Sequence, residues 1–242
     1  MTYCVGLKID RGLVFMSDTR TNAGIDSIST FRKMYTWEVP GERVLVLLAA
    51  GNLATTQAVV SLLDERSKAP EDRSPSILKT PSMYQSARLV GNTVKEVISS
   101  SAPVGQSADA FSASFVFGGQ IRGTEPRLFL VYPEGNFIEA SDDTPFFQIG
   151  ETKYGKPILV RAYDKAMTFA ETAKLLMVSF DSTVKSNLSV GLPLDILFYG
   201  RDGFNVSYRK RIGHDDAYYR EISDGWSDAL KSAFKRLPDF QQ

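Results

Sequence analysis

The order of strand-like and helix-like segments is the feature that most restricts the fold of this chain. Hydrophobic periodicity predicts a group of strands, two helices, a second group of strands, two more helices, further strands and one closing helix. Short turn sequences such as Pro40-Gly41 and Arg201-Asp202-Gly203 join the strands, which favours hairpins and therefore antiparallel sheets. Because the helices come in pairs, the economical arrangement is an α+β fold of four layers. This is an αββα sandwich in which two antiparallel sheets pack face to face.

The segment boundaries follow from alternation, helical spacing and capping residues. We expect strands at 3–9, 13–18, 33–39, 44–50, 111–117, 126–132, 137–140, 194–199 and 204–211. We expect helices that begin after Gly51, after the N-cap Ser82, within 153–163, at the capping box Thr168–Glu171 and around Ile222. The stretch from Lys68 to Pro81 contains three prolines but is short enough for a surface loop, so we expect residues 1–242 to form a single domain.

Composition excludes several classes of partner. The 242 residues carry 28 basic and 28 acidic side chains, so no net charge attracts nucleic acid or anionic lipid. The longest apolar run, Val44 to Gly51, is far shorter than the roughly 20 residues of a membrane-spanning helix. Cys4 is the only cysteine, which excludes an intrachain disulfide and predicts a cytoplasmic location. His214 is followed by two adjacent carboxylates that would point apart, so we expect neither a metal site nor another cofactor.

Thr2 is the residue with the clearest chemical potential. Met1 is normally removed when a small residue follows it, which would leave a hydroxyl nucleophile and a free α-amine on one residue. An α-amine has a pKa of about 7.7–8.0 and can act as the general base for the hydroxyl. Such a site needs no histidine, in agreement with a chain whose only histidine is His214. Gly51, at a strand-to-helix junction, would supply a backbone N–H for the oxyanion.

The first hairpin predicts which side chains lie near Thr2. A three-residue loop at 10–12 would place Cys4 opposite Asp18. Thr2, Cys4 and Asp18 would then share one face, with Asp18 diagonal to Thr2 at about 7–8 Å. Lys33, at the start of the third strand, is long enough to fill this gap. Its ammonium would lower the pKa of the Thr2 amine and would pair with Asp18.

The same residues belong to motifs that resemble those of proteasome β-type subunits. The resemblance is carried by Thr2, Val5–Lys8, Arg11–Val14, Ser17–Arg20, Gly24, Lys33, Ala49–Gly51 and Thr56-Gln57. The chain resembles most the Anbu family, the bacterial proteasome-like branch of the N-terminal-nucleophile hydrolases, over nearly its whole length. This resemblance implies an αββα fold and hydrolysis of amide bonds by an N-terminal threonine.

The resemblance also implies a role for each residue of the site. Thr2 is the implied nucleophile, and its own amine is the base. Lys33 tunes that amine, and Asp18 pairs with Lys33. Gly51 supplies the oxyanion N–H, while Ala49 lies at the depth of the specificity pocket. A small residue at that position leaves room for a bulky or apolar side chain of the substrate.

Two stretches depart from the family pattern that positions the amine. Where the β-subunits have a Gly-Ser pair, this chain has Gly150 followed by Glu151. In the Asp-x-x-Ser-Gly-Gly stretch Ser189 matches the family serine, but Ser186 stands at the position of the aspartate. Asp181 is a nearby carboxylate that could substitute for it. We therefore take Ser189 and Asp181 as the expected supporting residues.

Three functions remain open. The leading one is a threonine-type hydrolase of peptides or amides that works within a homo-oligomer, either a closed ring or an open helical assembly. The fold would also suit an amidohydrolase or amide-transfer enzyme with a non-peptide substrate. If Met1 is retained, the amine is blocked and the chain is a catalytically silent assembly scaffold. An ATPase or unfoldase partner is left open.

Overall fold

The computed structural model describes residues 1–22, 28–68, 75–101 and 108–241. Its strands are β1 (Tyr3–Ile9), β2 (Gly12–Asp18), β3 (Arg20–Asn22), β4 (Ile28–Thr30), β5 (Met34–Val39), β6 (Arg43–Gly51), β7 (Ala113–Ile121), β8 (Arg127–Val131), β9 (Phe137–Glu139), β10 (Phe146–Gly150), β11 (Leu194–Gly200) and β12 (Tyr208–Ile212). Its α-helices are α1 (Leu53–Lys68), α2 (Met83–Ser101), α3 (Lys156–Ala162), α4 (Phe169–Ser186) and α5 (Ala217–Lys235).

Two five-stranded sheets form the centre of the fold. One has the order β10-β1-β2-β11-β12, and the other has the order β5-β6-β7-β8-β9. The pairings within both sheets are antiparallel, as the short turns predict. A separate short hairpin joins β3 and β4. Among the described residues, no helix combines the length and the apolar character needed to traverse a membrane.

Three apolar clusters separate four layers. Cys4, Phe15, Val46, Val116 and Leu128 belong to the cluster between the two sheets. On the outer side of the β5–β9 sheet, α1 and α2 bury their apolar faces against the second cluster. On the outer side of the other sheet, α4 and neighbouring helical residues bury the third. This arrangement confirms the expected αββα sandwich.

Local capping explains where the second and fourth helices begin. Ser82 accepts the backbone N–H of Gln85 at 3.2 Å, as expected for the N-cap of α2. At the start of α4, Thr168 and Glu171 form a reciprocal capping box. The N-cap of α5 is Asp216, whose side chain accepts the N–H of Tyr219 at 3.0 Å.

The expected register of the first hairpin is wrong by one residue. Ile9 pairs with Gly12, so the loop has two residues, and Cys4 lies opposite Ser17 instead of Asp18. The reason is the role of Gly12, which is part of the strand. At its φ of +142°, a Cβ would lie 2.0 Å from the carbonyl oxygen of Tyr199 on β11. The glycine permits close packing of β2 against β11 and does not form the turn.

Some boundaries also differ from the expectation. The strand β10 and the β3–β4 hairpin were not predicted, and α3 is shorter than 153–163. The last strand begins at Tyr208 because Asp202 and Phe204 have positive φ values of 60° and 46°, which interrupt the extended chain. Gly24 and residues 69–74 of the expected proline-containing loop lie outside the described residues.

Candidate active site

A cleft of about 470 Å³ lies where the ends of three strands meet. Thr2 precedes β1, Lys33 precedes β5, and Gly51 is the last residue of β6. These residues line the cleft together with Met1, Thr21, Arg32, Ala49, Ala50, Leu53, Thr56 and Gly150. The two facing sheets therefore bring together four residues that the sequence selected: Thr2, Lys33, Ala49 and Gly51.

Asp18 and Lys33 form a buried ion pair at the base of the cleft. The Nζ of Lys33 donates to Oδ1 of Asp18 at 2.8 Å, and the same oxygen accepts the backbone N–H of Tyr3 at 3.0 Å. The ammonium also donates to the carbonyl of Arg20 at 2.6 Å. The side chains of Asp18 and Lys33 are 0% and 6% exposed. Lys33 is thus fixed by two acceptors while it faces the cleft that contains Thr2.

Opposing effects act on the acidity of Asp18. Burial raises the pKa of this carboxyl above its ordinary value, while the Lys33 ammonium and the N–H of Tyr3 favour the charged form and limit the rise. The lysine is therefore the counter-ion that keeps a carboxylate at this depth. Removal of the lysine would leave an isolated buried charge.

Gly51 has a backbone conformation that other residues rarely adopt. Its φ is +118°, and a Cβ would lie 2.4 Å from the carbonyl oxygen of Ser112. Two residues earlier, the N–H of Ala49 donates to the carbonyl of Lys33 at 2.9 Å, on the β5 side of the strand. Because alternate residues of a strand direct their N–H groups to the same side, the N–H of Gly51 points beyond the start of β5, toward the cleft.

Gly150 and Glu151 hold the backbone of Thr2 from the β10 side. The N–H of Glu151 donates to the carbonyl of Thr2 at 2.6 Å. Gly150 has a φ of +85°, and a Cβ would lie 1.9 Å from the same carbonyl oxygen. Glu151 stands where the family pattern has a serine, and Gly150 matches the glycine of that pattern. Their contact with Thr2 depends on β10, which was not predicted.

The two expected supporting residues occupy different places. Asn187, just after α4, accepts the N–H of Ser189 at 2.9 Å and donates to Glu151 at 3.0 Å. Ser189 thus lies near the Thr2 end of β10. Asp181 lies on the buried side of α4, where it pairs with Lys185 at 3.0 Å. Among the described residues that line the cleft, neither Ser189 nor Asp181 is present.

Glu151 and Asn187 are the residues that the sequence analysis did not assign to the site. A signal existed in the paired departures from the family pattern, an acidic residue gained at 151 and one lost at 186. Their relationship required the three-dimensional contact between Glu151 and Asn187.

Two other chemically notable residues lie elsewhere. Cys4 is fully buried in the cluster between the sheets, and its thiol contacts the carbonyl of Ala49 at 3.8 Å. His214 lies in the turn between β12 and α5. Within the described part of the chain, no group of three or more His, Cys, Asp or Glu side chains is placed to hold a metal ion.

The fold and the cleft define an αββα sandwich of the N-terminal-nucleophile type. The model of the proteasome subunit family matches residues 2–191. A comparison with curated proteins found no match.

Solved structures give a closer likeness. An Anbu (Gly-1) mutant from Hyphomicrobium sp. strain MC1 is 53% identical, with a TM-score of 0.92 and 100% of both chains covered. Anbu (ancestral beta-subunit) from Yersinia bercovieri is 47% identical, with a TM-score of 0.93 and 100% of both chains covered. The helical assembly of the Anbu complex from Pseudomonas aeruginosa is 46% identical, with a TM-score of 0.92, and the match covers 100% of this chain and 99% of that one. The chain therefore belongs to the proteasome subunit family and, within it, to the Anbu group.

Proposed function

We propose that this protein is a threonine-type hydrolase of amide bonds, with Thr2 as the nucleophile after removal of Met1. The observation that carries the proposal is the convergence of Thr2, the fixed ammonium of Lys33 and the backbone of Gly51 on one cleft. Hydrolysis of the Met1–Thr2 peptide bond would convert the Thr2 nitrogen into an amine. That amine would be close to a positive charge, which lowers its pKa and increases the fraction able to act as a base.

The reaction would be acyl transfer in two steps. The Thr2 hydroxyl gives its proton to its own amine and attacks the substrate carbonyl, while the N–H of Gly51 stabilises the oxyanion. The C–N bond then breaks, the leaving amine takes the proton, and an ester to Thr2 remains. Water adds to this ester with the same amine as base, which releases the acid and restores Thr2.

The small side chain of Ala49 favours substrates with bulky or apolar side chains. A relative of known assembly favours an oligomeric state. Ala49 is 4% exposed and lines the cleft, so little side-chain volume occupies the space beside it. The Anbu complex from Pseudomonas aeruginosa forms a helical assembly, which supports a homo-oligomer, a ring or an open helix, for this chain. A single buried cysteine is compatible with a reducing, cytoplasmic compartment.

Mass spectrometry with a threonine-reactive probe tests the proposal. The intact mass of the purified protein first shows whether Met1 is absent. Incubation with a β-lactone or an epoxyketone is then expected to give one adduct, located on Thr2 by peptide mapping and absent from Lys33→Ala. Lys185→Ala, which removes an ammonium on α4 away from the cleft, is the matched control and should keep the adduct. An adduct at another residue, or none when Met1 is absent, would refute the proposal.

Met1 gives a specific reason to consider an assembly subunit without activity. The residue is 63% exposed, and its sulfur lies 3.8 Å from the side-chain nitrogen of Asn187. In a protein that keeps this residue, the Thr2 nitrogen is part of a peptide bond and cannot act as a base. Retention of Met1 in the assembled protein, together with no reaction toward peptides or non-peptide amides, would support this second function.

A further inference from the structure

Glu151 is a buried carboxylate whose described hydrogen-bond donors are all neutral. The residue is 8% exposed. Its Oε1 accepts the backbone N–H of Lys153 at 3.0 Å, and its Oε2 accepts the side-chain amide of Asn187 at 3.0 Å. Among the described residues, no ion pair involves Glu151. Buried carboxylates are normally paired with a cation, so this site has the character of an anion that awaits a positive partner.

The backbone of Glu151 is fixed to Thr2. The hydrogen bond from the Glu151 N–H to the Thr2 carbonyl is 2.6 Å long, and the adjoining Gly150 leaves no room for a Cβ beside that carbonyl. A Cβ on Gly150 would also lie 3.2 Å from the Cβ of Thr2. The end of β10 therefore lies in direct contact with Thr2.

Met1 contacts Asn187, the residue that orients the Glu151 carboxylate. The Nδ2 of Asn187, which donates to Glu151, is 3.8 Å from the sulfur of Met1. Met1 is bonded to the nitrogen of Thr2 that its removal would free. The loss of Met1 would thus open the Glu151–Asn187 pair toward a newly formed ammonium group.

We propose that Glu151 positions the α-amine of Thr2 in the mature protein. Its carboxylate, oriented by Asn187, accepts an N–H of the amine and leaves the nitrogen lone pair free for the Thr2 hydroxyl. This inference deepens the function proposed above and rests on it. It also connects the two departures from the family pattern, because the carboxylate missing at Ser186 is supplied by the residue at 151.

The charges around the amine determine the sign of the effect. Lys33 and Arg32 line the cleft and favour the neutral amine. Asp18 is already neutralised by Lys33 at 2.8 Å, and Arg20 donates to a backbone carbonyl of the loop that follows α4. Among these described residues, Glu151 is the carboxylate without a cationic partner, and it favours the ammonium form. Removal of its charge should therefore lower the pKa of the amine.

The pH dependence of amine labelling measures this effect without requiring hydrolysis. Full-length chains that begin at Thr2 are released from a cleavable fusion and treated with cyanate across a pH series. Carbamoylation of the Thr2 nitrogen is followed by mass spectrometry. In Glu151→Gln the midpoint should lie roughly one pH unit below that of the native protein. Below the midpoint, labelling should then be about tenfold faster than in the native protein.

Two further variants make the result specific. Glu151→Ser also removes the carboxylate and should shift the midpoint in the same direction. Glu134→Gln makes the same chemical change on the exposed turn between β8 and β9 and should leave the midpoint unchanged. Equal midpoints in the native protein and both Glu151 variants would overturn the inference. If the Glu151 variants shift the midpoint but the native protein forms no adduct with a β-lactone, only the proposed hydrolysis is refuted.

Discussion

One oxygen of Asp18 accepts both the ammonium of Lys33, at 2.8 Å, and the backbone N–H of Tyr3, at 3.0 Å. Tyr3 directly follows Thr2, so a single carboxylate links the backbone next to the proposed nucleophile to the cation that would tune its amine. Tyr3 and Asp18 come from β1 and β2, which are neighbours in one sheet, whereas Lys33 comes from the segment that precedes β5, a strand of the other sheet. The ion pair therefore fixes the alignment of the two sheets at the cleft as well as the local charge.

Removal of Lys33 should affect stability and reactivity together. Lys33→Met leaves Asp18 buried without its counter-ion, and we expect a loss of about 3–5 kcal/mol in the free energy of unfolding. The double variant Lys33→Met with Asp18→Asn removes both charges and should recover most of that loss, yet should form no β-lactone adduct. Chemical denaturation of the single and double variants measures the coupling.

The control is the exposed pair of Lys68 and Asp64 on α1, whose charged atoms are 3.5 Å apart. Lys68→Met should cost less than about 1 kcal/mol because exposed ion pairs contribute little. If the double variant of Lys33 and Asp18 were no more stable than Lys33→Met alone, the buried pair would not be the source of the stability.

Gly51→Ala should damage the proposed oxyanion site. The φ of +118° and the carbonyl of Ser112 leave no space for the methyl group, so the backbone must shift. We expect a destabilisation of about 1–3 kcal/mol. We also expect acylation by the probe to slow by roughly 10²–10³-fold if the N–H leaves its position. Mass spectrometry of samples quenched at successive times gives the acylation rate.

Gly225→Ala is the matched comparison, because Gly225 lies on α5 and no atom beyond its neighbouring helix backbone lies within 4 Å of the added Cβ. It should stabilise the protein by about 1 kcal/mol, since alanine is the better helix former. If the probe acylated Gly51→Ala at the native rate, the N–H of residue 51 would not be the group that stabilises the oxyanion.

Cys4 should be chemically inert in the native protein. Burial raises the pKa of its thiol, and the thiolate is the reactive form. Iodoacetamide should label Cys4 only after denaturation. Because the native state holds the proton more tightly than the unfolded state, the free energy of unfolding should fall as the pH rises above the ordinary value of 9.0. Cys4→Ala should lack that component of the pH dependence, and rapid native labelling would contradict the burial.

The layers of the fold could be predicted from the sequence because periodicity records which faces are buried. The capping box at Thr168–Glu171 and the N-cap Ser82 likewise depend on neighbouring residues and were confirmed. The register of the first hairpin failed because the constraint on Gly12 comes from Tyr199, which lies far along the chain. Local turn chemistry carries no information about a contact of that kind.

In the candidate site, too, some features could be predicted from the sequence and others depend on contacts between distant parts of the chain. The ion pair between Asp18 and Lys33 was predicted, although the geometry used to reach it had the wrong register. The contact of Glu151 with Asn187 was not predicted, since it depends on β10 and on the end of α4. Asp181 was selected by its distance along the chain, but on a helix its direction is set by the turn it occupies, and it pairs with Lys185.

The final prediction concerns selectivity at Ala49. This residue lines the cleft, so a larger side chain should occupy the volume available to the substrate. With fluorogenic peptides, the native protein should prefer bulky apolar side chains over acidic or very small ones before the cleaved bond. Ala49→Leu should lower kcat/KM for the bulky substrates by at least about 10–200-fold, because even one methylene group that a pocket cannot accommodate costs about 1–3 kcal/mol. A small β-lactone should still acylate Thr2 in the variant, which separates a blocked pocket from a damaged catalytic centre. A native preference for acidic or very small side chains would show that Ala49 does not set the selectivity; an acidic preference would assign it to Arg32 and Lys33, which line the same cleft.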